Sequence, residues 1–378
     1  MREIYLDNSA TTQVSEKTIE KAVELMRQKY GNPSSLHAKG LEAQNEVENA
    51  RKIIAKTLNC DQTEIYFTSG GTEANNLAVF GAAKAMKKRG NKIVTTAIEH
   101  SSVYESLKEL ENSGFEVVYL KPDIFGMVTK EQFMEEIDEN TILVTVMMVN
   151  NEVGSILPVD QIRECIDLKK SPALFHVDAV QAFGKMPINI SKIKPDLLSL
   201  SSHKIHGPKG VGALFKSKSK RIYPRAFGGE QQDKVRPGTE SAPLIAALGV
   251  AVSEIDIESN YKKVLELRNY LVKKLNGISE ITLNSGPDSL PYIVNFSVEN
   301  IKAETMLHFL ASHNIYVSGG SACAKGKASR VLKKLGIPDE RVTSSIRVSF
   351  SKYNSKEDID ALIEGLLDGI KSLVKIKE

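Results

Sequence analysis

The chain has 378 residues, 41% hydrophobic and 26% charged, with 50 basic against 47 acidic side chains and a formal charge of +3. That length carries enough core for two domains, and so even a charge balance gives no argument for nucleic-acid or membrane binding. Three cysteines, Cys60, Cys165 and Cys323, are too few and too scattered for a disulfide framework or a zinc site, so a reducing cytoplasm and no metal are expected.

In chain order, the N-terminal arm MREIYLDNSATT lacks the apolar core of a signal peptide. Apolar runs that read as strands follow at 64–68, 92–97, 116–120, 141–149, 173–177, 195–201 and 210–215. Amphipathic patterns near 41–58, 72–89, 101–113, 129–138 and 159–169 read as the helices between them. Strands rich in Val, Ile and Leu alternating with helices predict an α/β architecture, with a mostly parallel sheet covered on both faces. The longest apolar stretch, Ile142 to Val149, is too short to span a bilayer. The basic run 216–221 reads as a solvated hairpin. A long helical stretch over 241–276 suits a connector between domains. Beyond it, short strands at 281–283, 291–297, 314–318 and 343–350 alternate with helices, and a last helix over 355–375 opens on a capping-box pair, Ser355 and Asp358. The expected division is a large domain over 13–253 and a smaller α+β domain over 254–378, joined by the arm 1–12.

In open parallel sheets ligands bind at the carboxyl ends of strands. After strand 64–68, Ser69-Gly70-Gly71-Thr72 opens a helix and can turn several backbone N–H groups toward a phosphate, or serve as an ordinary glycine-containing N-cap. It matches neither the P-loop nor the dinucleotide glycine fingerprint, which argues against ATP and NAD. His100, after strand 92–97, can stack on a flat ligand, move protons or cap the next helix. The cluster Asn150-Asn151-Glu152-Val153-Gly154 can bond a ligand or simply turn the chain. Asp178 follows the strand 173–177 directly, and a buried aspartate there needs a cation or several donors. Lys204 sits in the bend of PDLLSLSSHKIHGPKGVGALF, residues 195–215. It is either a surface lysine of a hairpin or a desolvated amine that attacks carbonyls. A lysine and an aspartate at two strand ends fit the pyridoxal 5'-phosphate (PLP) pattern, a Schiff-base lysine plus an acidic partner for the ring nitrogen.

Taken together, YLDNSATT (5–12), YGNPSSLH (30–37), FTSGGTEANN (67–76), NNEVG (150–154), HVDAVQ (176–181), SSHKIHGPKGVG (201–212), RPGTE (236–240), SGGSAC (318–323) and SIRVS (345–349) resemble the class V aminotransferases. Within that family they are similar to cysteine desulfurases of the NifS/IscS-like kind. The resemblance runs along nearly the whole chain and implies the type I PLP-dependent transferase fold. It implies that Lys204 holds PLP as an imine, Asp178 pairs the ring nitrogen, Gln181 bonds the phenolic oxygen and His100 stacks on the ring and shares the proton transfers with Lys204. Gly71, Thr72, Ser201 and His203 would hold the phosphate, with Thr239 reaching over from a second subunit of a homodimer. Asn151 would border cofactor and substrate, and Arg347 would clamp the carboxylate of L-cysteine, a group suited to a bidentate guanidinium.

The resemblance makes Cys323 the nucleophile that takes the substrate's sulfur as a persulfide, leaving alanine. Lys325 and Lys327 beside it favour the thiolate, whereas Cys60, before a polar turn, and Cys165, inside an amphipathic helix, read as structural. The sulfur would pass to an acceptor protein or iron–sulfur scaffold, for cluster assembly or tRNA thiolation. The alternatives within the fold are a selenocysteine lyase or an aminotransferase, and outside catalysis a scaffold for cluster assembly. The chain departs from the family pattern in a lysine-containing, slightly shorter segment after Cys323 and in Phe227-Gly228-Gly229-Glu230, where a histidine often precedes the glycines. Both departures bear on the acceptor rather than on the core chemistry.

Overall fold

The structure, a computed structural model, describes residues 2–319 and 328–374; Cys323 lies outside them. The chain enters through β1 (Ile4–Tyr5), α1 (Glu16–Arg27) and α2 (Ala38–Leu58). Strands and helices then alternate as β2 (Ile65–Thr68), α3 (Gly71–Met86), β3 (Lys92–Thr96), α4 (Ser101–Asn112), β4 (Glu116–Leu120), α5 (Lys130–Glu136), β5 (Thr141–Met147) and α6 (Val159–Leu168). After β6 (Leu174–Asp178) come α7 (Ile190–Ile193), β7 (Leu197–Ser201) and β8 (Gly212–Lys216). Helices α8 (Ala242–Ser253) and α9 (Ile257–Leu275) lead to β9 (Ile281–Leu283), β10 (Ile293–Val298), α10 (Ala303–Ser312) and β11 (Ile315–Tyr316). The described chain closes with α11 (Arg330–Lys334), α12 (Asp339–Thr343), β12 (Ser345–Ser349) and α13 (Lys356–Ser372).

The main sheet has the order β2-β8-β7-β6-β5-β3-β4. Pairings from β4 through β3, β5 and β6 to β7 are parallel, and β8 runs antiparallel to both β7 and β2. Two reversals restore direction, so β2 points the same way as β7. The carboxyl ends of β2, β3, β5, β6 and β7 therefore share one edge of the sheet. Every residue of β5, β6 and β7 is buried, which explains why these strands read as unbroken apolar runs.

Four departures from expectation have local causes. The helical stretch 241–276 is two helices, because Asp256 accepts a hydrogen bond from Ser259 N at 3.1 Å and starts a new helix. Strand β5 ends at Met147, because Val149 turns back to bridge Ile156. The run 216–221 is no hairpin: Lys216 is buried and donates to the carbonyls of Ser217 and Lys220, and the next described strand is β9. Helix α1, absent from the sequence reading, starts where Ser15 accepts from Thr18 N.

A second, antiparallel sheet has the order β12-β10-β9. The N-terminal arm ties the two sheets together. β1 pairs with β11, Asp7 bridges Ser349 at the end of β12, and Thr12 N donates to the carbonyl of His203 at 2.9 Å. The arm thus crosses the mouth of the strand-end edge.

Candidate active site

At that edge a cavity of about 550 Å³ opens. Gly71, Thr72, His100, Asn151, Asp178, Gln181, Ser201, His203, Lys204 and Arg347 all line it. Thr239 does not; it is exposed, on a loop that Arg236 fastens to Glu73 of this chain at 2.8 and 3.2 Å.

The floor is set by β2 and β7. Gly70 adopts φ 149°, a conformation that side-chain-bearing residues avoid. A Cβ on Gly71 would lie 2.8 Å from Val180, so glycine lets the start of α3 approach the turn after β6. The hydroxyl of Ser201, which lines the cavity, is buried with no partner among the described residues. Free N–H groups at a helix start beside an unpartnered hydroxyl suit an oxyanion.

Asp178, last residue of β6, is buried. Its Oδ1 accepts from Val180 N at 3.0 Å and its Oδ2 from Asn75 Nδ2 at 2.7 Å. Asn75 also donates to Ser102 Oγ at 2.9 Å, and Ser102 bonds His100 Nδ1 through its hydroxyl at 2.8 Å and its N–H at 3.1 Å. Accepting at Nδ1 leaves the proton of the neutral imidazole on Nε2. Burial pushes His100 below the usual histidine range, which keeps it neutral. The histidine both caps α4 and lines the cavity, so the two sequence readings of His100 are compatible.

The turn before His100 is fixed from two sides. Glu99 is fully buried, its Oε1 accepting from Thr96 Oγ at 2.6 Å and Met147 N at 3.1 Å, and burial pushes its carboxyl up to about 8. Arg330 donates to the carbonyl of Ala97 at 2.6 Å and to that of Glu99, and stacks on Tyr104 with 3.9 Å from its guanidinium carbon to the ring centre.

Lys204 lies in the turn after β7 and donates to the carbonyls of Ser9 and, at 2.8 Å, Ala10. Next to it His203 is pushed down to about 4 by burial first, then by the charges of Lys204 and Lys209. Arg347, in the middle of β12, is 1% exposed. Its Nη1 donates to the carbonyl of Asn151 at 2.7 Å and its Nη2 pairs with Asp7 at 2.8 Å. Nε has no partner among the described residues, so part of the guanidinium stays available to a second carboxylate.

The residues present fit PLP. The unpartnered Ser201 hydroxyl and the start of α3 suit its phosphate, an anchored carboxylate suits its ring nitrogen, and an amine shares the cavity. Asp7, which pairs with Arg347, and Ser9 and Asn75, which line the cavity, escaped the sequence reading as site residues. Asn75 left a signal: it is a polar residue on the apolar face of α3, next to Ala74, Leu77 and Ala78.

The Aminotransferase class-V family model matches residues 4–362. A protein of Methanosarcina thermophila named Cysteine desulfurase IscS is 40% identical over 375 residues, covering 98% of this chain and 92% of that one. The structure of a NifS-like protein superposes with a TM-score of 0.92 at 36% identity, covering 98% of this chain and 100% of that chain. A structure described as SspA in complex with cysteine gives a TM-score of 0.83 at 33% identity, covering 94% and 100% of the two chains.

Proposed function

The chain belongs to the class V aminotransferase family, and on that premise we propose that it is a PLP-dependent cysteine desulfurase. It converts L-cysteine to L-alanine and keeps the sulfur as a persulfide on Cys323. The observation that carries this reading is that Lys204, Asp178 and Arg347, from three separate strand ends or strands, line one cavity. A similar structure, described with cysteine bound, supports the substrate.

PLP supplies an electron sink for the carbon that loses a proton. Asp178, held by Val180 N and Asn75, binds the ring nitrogen and keeps it protonated. Gly71, Thr72, Ser201 and His203 hold the phosphate, and Gln181 donates to the phenolic oxygen. His100 would lie beside the ring as a neutral imidazole whose Nε2–H can donate a hydrogen bond. Arg347 binds the substrate carboxylate, with Asn151 at its side, and so aims the α-hydrogen at the Lys204 amine. The sulfur balance is simple: cysteine plus the Cys323 thiol gives alanine plus the persulfide, which a thiol of an acceptor protein then takes. The sulfur then goes to iron–sulfur cluster assembly or to tRNA thiolation.

The active form is a homodimer in which Thr239 meets the partner's phosphate site. Supporting this, Thr239 is exposed and lies outside this chain's own cavity. Among the described residues no helix is long and apolar enough to cross a membrane.

The test is alanine and sulfide release from L-cysteine, with and without a thiol reductant. The proposal expects equal amounts of both products with reductant. Without it, alanine should stop near one equivalent per site. Alanine without sulfide would favour transamination, and no need for a protein thiol would favour the lyase.

A further inference from the structure

Behind the cavity the structure holds a second buried cation that none of the chemistry above uses. Lys185 is 5% exposed, and its Nζ donates to Gln181 Oε1 at 2.9 Å. Gln181, also 5% exposed, donates from Nε2 to the carbonyl of Ser9 at 3.0 Å. That carbonyl also accepts from Lys204. A continuous chain of hydrogen bonds therefore runs from Lys185 through Gln181 and Ser9 to Lys204.

We propose that Lys185 is a positioning residue that fixes the amide of Gln181, so that its NH₂ and not its carbonyl faces the cofactor's phenolic oxygen. A glutamine amide has two orientations of nearly equal shape and opposite hydrogen-bonding character. Here two independent partners choose the same one. An ammonium or amine has protons to give, so Oε1 points to Lys185. A carbonyl can only accept, so Nε2 points to Ser9. Nε2 carries a second hydrogen, the one left for a ligand in the cavity that Gln181 lines. The turn from Ala179 to Met186, closed by Phe183 N and Met186 N donating to the carbonyls of Ala179 and Ala182, brings residues 181 and 185 to the same side.

The arrangement has an energetic cost that argues for a use. Burial, with the charges of Lys204 and Arg347, depresses Lys185 to about 7. Tyr292 faces it with its ring centre 5.8 Å from Nζ and a buried hydroxyl that has no partner among the described residues, and Lys185 also shares a small cavity with Lys204, His206, Glu254 and Lys352. Among the described residues its hydrogen bond goes to Gln181 and to no carboxylate. A methionine or leucine would fill the same space without the desolvation.

The inference rests on the PLP reading but not on the desulfurase reading, and the test separates them. Wild-type, Lys185→Met, Gln181→Leu and double-variant proteins are loaded with PLP. Three measurements follow: circular dichroism for folding, cofactor dissociation by equilibrium dialysis, and the pH midpoint of the bound chromophore. Lys185→Met should bind PLP about tenfold more weakly, the effect of one misdirected hydrogen bond to a charged group. Its midpoint should rise, because the phenolic oxygen loses a donor. Gln181→Leu should give the same rise, and the double variant should move no further. Should Lys185→Met fold poorly, Lys185→Ala gives the same comparison. An unchanged midpoint, or shifts that add in the double variant, would overturn the positioning role and leave Lys185 a distant charge or a packing residue. Failure of the wild-type chain to take up PLP would overturn the cofactor reading and this inference together.

Discussion

Asp7 Oδ1 lies 2.8 Å from Nη2 of Arg347, so a carboxylate of the N-terminal arm already sits on the guanidinium proposed to bind substrate. A buried arginine needs such a counter-charge when the site is empty of substrate. The same carboxylate repels an arriving one. Asp7→Asn keeps an acceptor and deletes the charge. KM for L-cysteine should fall by roughly threefold, as a nearby like charge is removed. The folded state should lose about 1–3 kcal/mol, because Arg347 is left without its ion pair. Sulfide initial rates and urea unfolding check the two. A raised KM would show that Asp7 aims Arg347 more than it opposes the substrate.

Lys204→Ala should abolish the borohydride-trappable bond to PLP and the colour that goes with it. The carbonyl of Ser9 keeps its bond from Gln181 and Ala10 lines the cavity, so folding should survive. Mass spectrometry of the reduced protein reads the result. Retention of the trapped cofactor would assign the bond to another lysine, of which Lys185 is the nearest candidate in the hydrogen-bond chain.

Asn75→Ala removes the donor that meets Asp178 Oδ2 at 2.7 Å and the link to Ser102. One buried carboxylate oxygen then loses its protein partner, at a cost of about 1–3 kcal/mol. Urea midpoints should fall in the cofactor-free chain. The loss should shrink when PLP is bound, since the ring nitrogen then supplies a donor to the same carboxylate. An equal loss in both forms would place Asn75 in packing alone.

Glu99 gives the pH prediction. Burial raises its folded value to about 8 from an ordinary 4.5. A raised carboxyl binds its proton more tightly folded than unfolded. Its contribution to stability is therefore fully present below the unfolded value and is lost as pH rises through about 8. Glu99→Gln, which cannot ionise, should flatten the decline in unfolding midpoint between about pH 5 and about pH 9. Parallel profiles for the two proteins would mean that Glu99 does not titrate in this window.

Cys323→Ser should load PLP normally and fail to release sulfur, since a hydroxyl is a poor nucleophile toward sulfur. In the wild-type chain given cysteine without reductant, the extra sulfur should be found on the Cys323 peptide. Cys60 and Cys165 should stay unmodified. Burial pushes the Cys60 thiol up to about 12 and also raises that of Cys165, so neither offers a thiolate near neutral pH. Peptide mass spectrometry decides, and sulfur on Cys60 would contradict the assignment.

The residues that line the cavity were legible because their signals are local. Asp178 ends an apolar run, Lys204 follows another, and Gly70-Gly71 opens a helix, each within a few residues of the strand that places it. Helix α1 and the break at Asp256 were not, since both depend on single capping bonds that an amphipathic pattern does not record. Thr239 is named by its motif, yet this chain's own cavity does not include it.

By itself the sequence determined which side chains stand at the carboxyl ends of which strands, because in a parallel α/β chain each strand carries its own terminal residue wherever it packs. Only the tertiary structure decided which distant groups complete them. Asp7 and Arg347 are 340 residues apart, and Gln181 and Ser9 are 172 apart. Their meeting follows from β1 pairing with β11 and Asp7 bridging Ser349, which draws the arm over the mouth of the sheet. No periodicity along the chain encodes that contact; it comes from burying the arm's apolar side chains, Ile4 and Leu6, in a core that exists only once both sheets have formed.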